Sequence, residues 1–157
     1  QQPTMNATEL HLLLNHFPIL GTLFGLCLLI FGLLRHNRSL EKAAYVTLVV
    51  ISLIAIPAFK TGEEAEEKVE HLPGVSHAMV HEHEEWAEKA IWLMALTGIL
   101  SLVSLLRTGK VLRSLTFISA TATLALMVIT GSHGSKIMHH ELTNTPAVEE
   151  PHEYDDD

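Results

Sequence analysis

Eleven histidines in 157 residues are the compositional anomaly of this chain. They come in groups: His11 and His16 open an apolar run, His71, His77, His81 and His83 lie in a glutamate-rich stretch, and His133, His139 and His140 follow the last apolar run. A neutral imidazole offers a lone pair to a metal or a proton. His77 and His81 are four residues apart and share a helix face that Glu84 and Glu88 continue. Two imidazoles with a carboxylate form a ligand set for a transition metal, so His77, His81 and Glu84 are the metal candidates. The plainer reading of the same residues is a solvated acidic face. His83 is expected to point elsewhere, beside Trp86 or Ala87.

His11 and His16 are about 140° apart around one helix, so they make no joint ligand pair without another segment. His16 lies about a turn inside the apolar boundary, where an ionisable group is costly and marks a functional position. A hydrogen bond from His16 to a backbone carbonyl or to Asn15 is the simpler alternative. His133, His139 and His140 return to the same end, so three regions bring histidines to one rim. Heme b is the other use of such imidazoles in a membrane bundle. Only the first apolar run contains a histidine, so at most one heme fits, at the rim, on His16 and a histidine from another segment. His81 and His83 would stand roughly 10–13 Å above the membrane boundary, and His133, His139 or His140 closer to the height of His16. The cofactor candidates are therefore His16, His11, His133, His139 and His140, with heme b or a transition metal ion as the cofactor, or none. No nucleophile–base–acid set or phosphate loop stands out. Glu63–Glu70 reads as a solvated face, with a docking surface for a basic partner as the alternative.

The elements that must position these residues are apolar runs. Leu12–Leu34 carries no charge and is long enough to cross a hydrocarbon core of about 30 Å. Further spans are expected at about 43–59, 90–106 and 111–130, making residues 1–142 a four-helix membrane domain and 143–157 an acidic tail. Asn6 with Glu9 suggests a capping box at the start of helix 1. Pro18 is expected to kink that helix near its outer end. Gly21 and Gly25 allow a close neighbour. TGEEAEEKVEHL (61–72) should extend helix 2, Pro73-Gly74 should turn, and Ser76 should cap helix 3. Gly131-Ser132-His133-Gly134 is expected to end helix 4. The tail composition favours disorder in an isolated chain.

Net charge is −8 and mean hydropathy +0.27. The acidic balance argues against nucleic acid. The one cysteine, Cys27, forms no intrachain disulfide and reads as a small packing residue. A channel or transporter has little support, because no charged residue sits mid-span. The opening QQPTMN fits equally a removed signal peptide, a start at Met5 or a trimmed terminus. Arg35, Arg38, Lys42, Arg107, Lys110 and Arg113 cluster in the two short turns, so the positive-inside rule makes those turns cytoplasmic. All acids but Glu41 and all histidines but His36 then fall on the outer side.

HLLLNHFPILG in helix 1, IPAFKTGEEAEE, EHLPGV, and TGSHGSKIMHHEL after helix 4 together make the chain resemble a bacterial four-helix membrane family filed as domain of unknown function 2231. The resemblance covers nearly the whole chain. Its more specific parts are the His-x4-His-Phe-Pro opening and the Thr-Gly…Gly…Ile-x-His close. The chain departs from the family in having a single Gly134 between His133 and Ser135 and two adjacent histidines, His139 and His140, where one is usual. The resemblance implies an all-α membrane bundle and says little of activity.

These observations lead to an all-α integral four-helix bundle, both termini outside, with helices 2 and 3 extended outward as an acidic hairpin. The expected setting is a bacterial inner membrane with the histidine face periplasmic. Three functions are expected. One is a small subunit of a larger, respiratory or electron-transfer complex whose rim binds heme b or a metal. The others are a purely structural accessory subunit and a stand-alone metal-binding membrane protein. Expected partners are the lipid bilayer and other membrane or periplasmic subunits, without independent catalysis.

Overall fold

The chain was analysed as a computed structural model that describes residue 11 and residues 13–69 and 77–143, with side chains through 135 except that of Val69. It is all-helical: α1 (His16–Leu34), α2 (Arg38–Val69), α3 (His77–Leu106) and α4 (Lys110–Thr143). The capping box at Asn6, the turn at Pro73 and the cap at Ser76 fall outside the described residues. Each helix packs on the next, and α4 closes back on α1 through a smaller contact.

All four helices are long and apolar enough to cross a membrane. Their outward faces carry Leu20, Phe24, Leu53, Trp92, Ile99 and Ile118, all more than half exposed. Such a belt is costly in water and fits hydrocarbon, as in a multi-pass membrane protein. The inward faces are built of small residues and hydroxyls. Thr97 Oγ1 lies 2.7 Å from Ser119 Oγ and 2.8 Å from Thr123 Oγ1, and Ser104 Oγ lies 3.0 Å from Thr116 Oγ1. These residues let α3 and α4 approach closely and bond across the seam.

The short turn between α1 and α2 is set by two residues. His36 adopts a left-handed φ of 51°. His36 N–H donates to Leu33 O and Asn37 N–H to Gly32 O, which closes α1 in a Schellman pattern. Asn37 Oδ1 then accepts from the N–H groups of Ser39 and Leu40, capping α2. Just beyond, Glu41 is 1% exposed. Arg38 Nη1 reaches its Oε2 at 2.9 Å and Arg113 Nε at 3.3 Å, tying the two basic turns together.

The second hairpin repeats the first at an offset of 72 residues. The buried positions of α1 are Pro18, Thr22, Gly25, Leu26, Leu29 and Gly32. Shifted by 72 they become Ala90, Met94, Thr97, Gly98, Ser101 and Ser104, which are the buried positions of the spanning part of α3. Both first helices end at equivalent residues, Leu34 and Leu106, and both second helices start at equivalent residues, Arg38 and Lys110.

One expectation about helix ends needs revision, that at Gly131–Gly134, and the start of α1 is refined. Next to Pro18 the helical pattern of the described residues is interrupted at Asn15 alone, which keeps helical dihedrals (φ −62°, ψ −25°) and an N–H bond of 2.9 Å to His11 O. Residues 11, 13 and 14 are helical, Asn15 is a turn, and α1 starts at His16. Proline without its N–H is at ease in a first turn, so the interruption falls just before it. Gly131–Gly134 does not end α4, which continues to Thr143. Glycine costs a helix only about 1 kcal/mol, and packing of His83 and Trp86 against this stretch outweighs it.

Candidate histidine cleft at the end of the bundle opposite the basic turns

His11 and His83 are imidazoles that the fold turns inward. His11 Nδ1 lies 3.1 Å from Ala58 O. His83 Nδ1 lies 3.0 Å from Thr130 O, and each pair is 47 residues apart in sequence. A carbonyl oxygen only accepts, so both Nδ1 atoms carry the proton and donate. That fixes the tautomer of a neutral ring and leaves Nε2 as the atom with the free lone pair. Each ring also lies on a glycine of the following helix. A Cβ on Gly62 would stand 2.9 Å from His11 Cε1, and one on Gly134 would stand 3.1 Å from His83 Cε1. The two arrangements correspond residue for residue at the 72-residue offset.

Both rings line one cleft of about 120 Å3, to which all four helices contribute. Pro18, Ile19, Ile91 and Met127 give it apolar walls, and Asn15 and Glu66 add polar atoms. Asn15 Oδ1 is buried with no hydrogen-bond partner among the described residues. Glu66 Oε1 is 3.5 Å from His83 Nε2, with side chains only 20% and 13% exposed. With Nδ1 committed as a donor, that contact is attractive only when the pair holds a further proton. Burial lowers the pKa of His11 below its ordinary 6.5, and the bond to the Ala58 carbonyl partly opposes this.

The other candidates lie elsewhere. His16 is exposed on α1 and does not line the cleft. His133 faces α3: its ring stacks on Trp86 at 6.2 Å between centroids, and Nδ1 is 3.6 Å from Glu82 Oε2. His139 and His140 lie on α4, and their side chains are outside the described residues. His77 and His81 are exposed, and His81 makes loose contacts with Glu84 at 3.4 Å and Glu85 at 3.6 Å. Among the described residues no group of three His, Cys, Asp or Glu is placed to hold a metal ion. The set His77, His81 and Glu84 is thus not assembled into a metal centre.

His83 is the residue that sequence reasoning missed. Helical spacing from His77 and His81 puts it beside Trp86 or Ala87, on another face, and its height reads against that of His16. The relevant partner is His11, which stands as far before Pro18 as His83 stands before Ala90, so the two are level. Comparing the chain with itself at the 72-residue offset supplies the signal: His11/His83, Ile19/Ile91, Leu33-Leu34-Arg35/Leu105-Leu106-Arg107 and Gly62/Gly134 coincide. No family model, no curated protein and no solved structure matches this chain.

Proposed function

We propose that this protein is a small integral subunit of a larger membrane complex that transfers electrons, and that the cleft between His11 and His83 is its ligand site. The observation that carries the reading is the matched pair of imidazoles, each with Nδ1–H held by a carbonyl and Nε2 left as the lone-pair atom. Heme b or a transition metal ion is the cofactor such a pair would take, through both Nε2 atoms. An ion would draw a third ligand from Glu66, which would have to turn from His83. A porphyrin would have to part the outer helix ends, because about 120 Å3 holds only a few waters at about 30 Å3 each.

The bilayer setting follows from the four apolar helices. The basic turns support an orientation with both termini outside, a periplasmic cleft in a bacterial inner membrane, and α2 and α3 projecting as an acidic hairpin. Family membership in domain of unknown function 2231 is proposed on the motifs quoted above. The exposed pairs His81–Glu84 and His81–Glu85 suit solvent or a partner subunit more than an ion.

An absorption spectrum and metal analysis of the purified full chain test the cofactor. A Soret band or a stoichiometric metal that disappears in His11→Ala and in His83→Ala supports it. Its persistence in both variants refutes the assignment. A second reading, a structural accessory subunit, is favoured by the cross-helix bonds both imidazoles already make. A colourless, metal-free chain that binds nothing in the cleft would establish that reading.

A further inference from the structure

The features that crowd an ion or a porphyrin suit an organic ring. This inference rests on the reading of the cleft as a ligand site and names its ligand. A cavity of about 150 Å3 lined by aliphatic side chains binds one benzene. The cleft, at about 120 Å3, is of that order and has aliphatic walls in Ile19, Ile91 and Met127. Its polar atoms are mostly acceptors. Nε2 of His11 has no partner among the described residues, and Asn15 Oδ1 is buried without one. His83 Nε2 stands 3.5 Å from Glu66 Oε1. Equivalent imidazoles reach the cleft from the two hairpins, so it suits a molecule carrying a hydroxyl at each end of a ring. A single alcohol or a fatty acid would meet only one of the two imidazoles. The site also lies at the end of four membrane-crossing helices, where a lipid-soluble ligand has access.

We propose that the cleft binds the head group of a lipid-soluble para-hydroquinone. One hydroxyl donates to His11 Nε2, and the other meets His83, Glu66 and Asn15. The ring lies between Ile19, Ile91 and Met127. Sulfur–aromatic contact with Met127 adds to the attraction.

The full chain in lipid nanodiscs, histidine-15N-labelled, would be titrated anaerobically with decyl-ubiquinol. Saturable 15N shifts are expected on two imidazoles, absent one at a time in His11→Ala and His83→Ala. Each variant should weaken binding at least tenfold. Gly131→Leu fills the cleft from a position whose added Cβ would meet only Ile19 Cδ1, at 3.8 Å, so it should fold and also bind at least tenfold more weakly. His36→Gly, at the opposite end of the bundle, should bind like the parent. The monomethyl ether of the same hydroquinone should bind about tenfold more weakly. No saturable shift, shifts confined to other histidines, or undiminished binding by a folded Gly131→Leu would overturn the proposal. Heme or metal purified on His11 and His83 would also overturn it while upholding the cleft as a ligand site. Failure of hydroquinone, heme and metal together would remove both readings.

Discussion

Gly62→Ala probes the packing that holds His11. The added Cβ would stand 2.9 Å from Cε1, 3.2 Å from Nδ1 and 3.7 Å from Nε2 of the His11 ring. α2 is packed between α1 and α3, so the ring gives way rather than the backbone. Overpacking of this kind costs about 1–3 kcal/mol. Displacing Nδ1 from Ala58 O adds roughly 0.5–1.5 kcal/mol. Alanine returns about 1 kcal/mol of helix propensity. The net expectation is a loss of about 0.5–3.5 kcal/mol in unfolding measured in detergent, with the His11 15N signals moving. Gly134→Ala should cost less, since its Cβ clears His83 Cε1 by 3.1 Å and Nδ1 by 3.4 Å. The decisive comparison is a double-mutant cycle. In a His11→Ala background the ring is gone, so Gly62→Ala should stabilise by about 1 kcal/mol. If Gly62→Ala stabilises equally with and without His11, the ring does not rest on Gly62 and the inward placement of His11 is wrong.

Three further outcomes are expected. Glu41→Ala should cost about 2–3 kcal/mol in detergent unfolding, below the ~3–5 kcal/mol of a fully buried pair, because Arg38 and Arg113 remain 48% and 30% exposed and rehydrate; no loss would mean the turns are not tied through Glu41. Ser101 is fully buried and its Oγ has no hydrogen-bond partner among the described residues. Ser101→Ala should therefore raise stability by about 1 kcal/mol, and a measured loss would reveal a bond to that hydroxyl. The depressed pKa of His11 predicts full stability above about pH 6.5 and a decline as pH falls, because the unfolded imidazole then takes up a proton that the folded one resists. Thermal unfolding across pH 5–8 should show this slope, and His11→Ala should reduce it; an unchanged slope would place its origin in other groups.

The sequence by itself determined the helices and their setting. Uncharged runs of membrane-spanning length, basic turns and glycines depend on local composition and helical period, and both are legible one segment at a time. It also marked histidines as the unusual residues and the end opposite the basic turns as the place to look. Which histidines face one another was decided by tertiary structure. His16 is the more membrane-embedded by count, yet it lies on the exposed face of α1, while His11, one helical turn before Asn15, meets the carbonyl of Ala58. His83 sits in a helix too polar for periodicity to assign a face. Its inward direction depends on a carbonyl at Thr130 and a bare backbone at Gly134, both contributed by another helix. Gly131–Gly134 reads as a stop for the same reason: propensity is local, and the packing that overrides it comes from α3. A carbonyl acceptor or a missing Cβ on a neighbouring helix leaves no mark beside the residue it positions, so the pairing of His11 with His83 appears only when the helices are assembled.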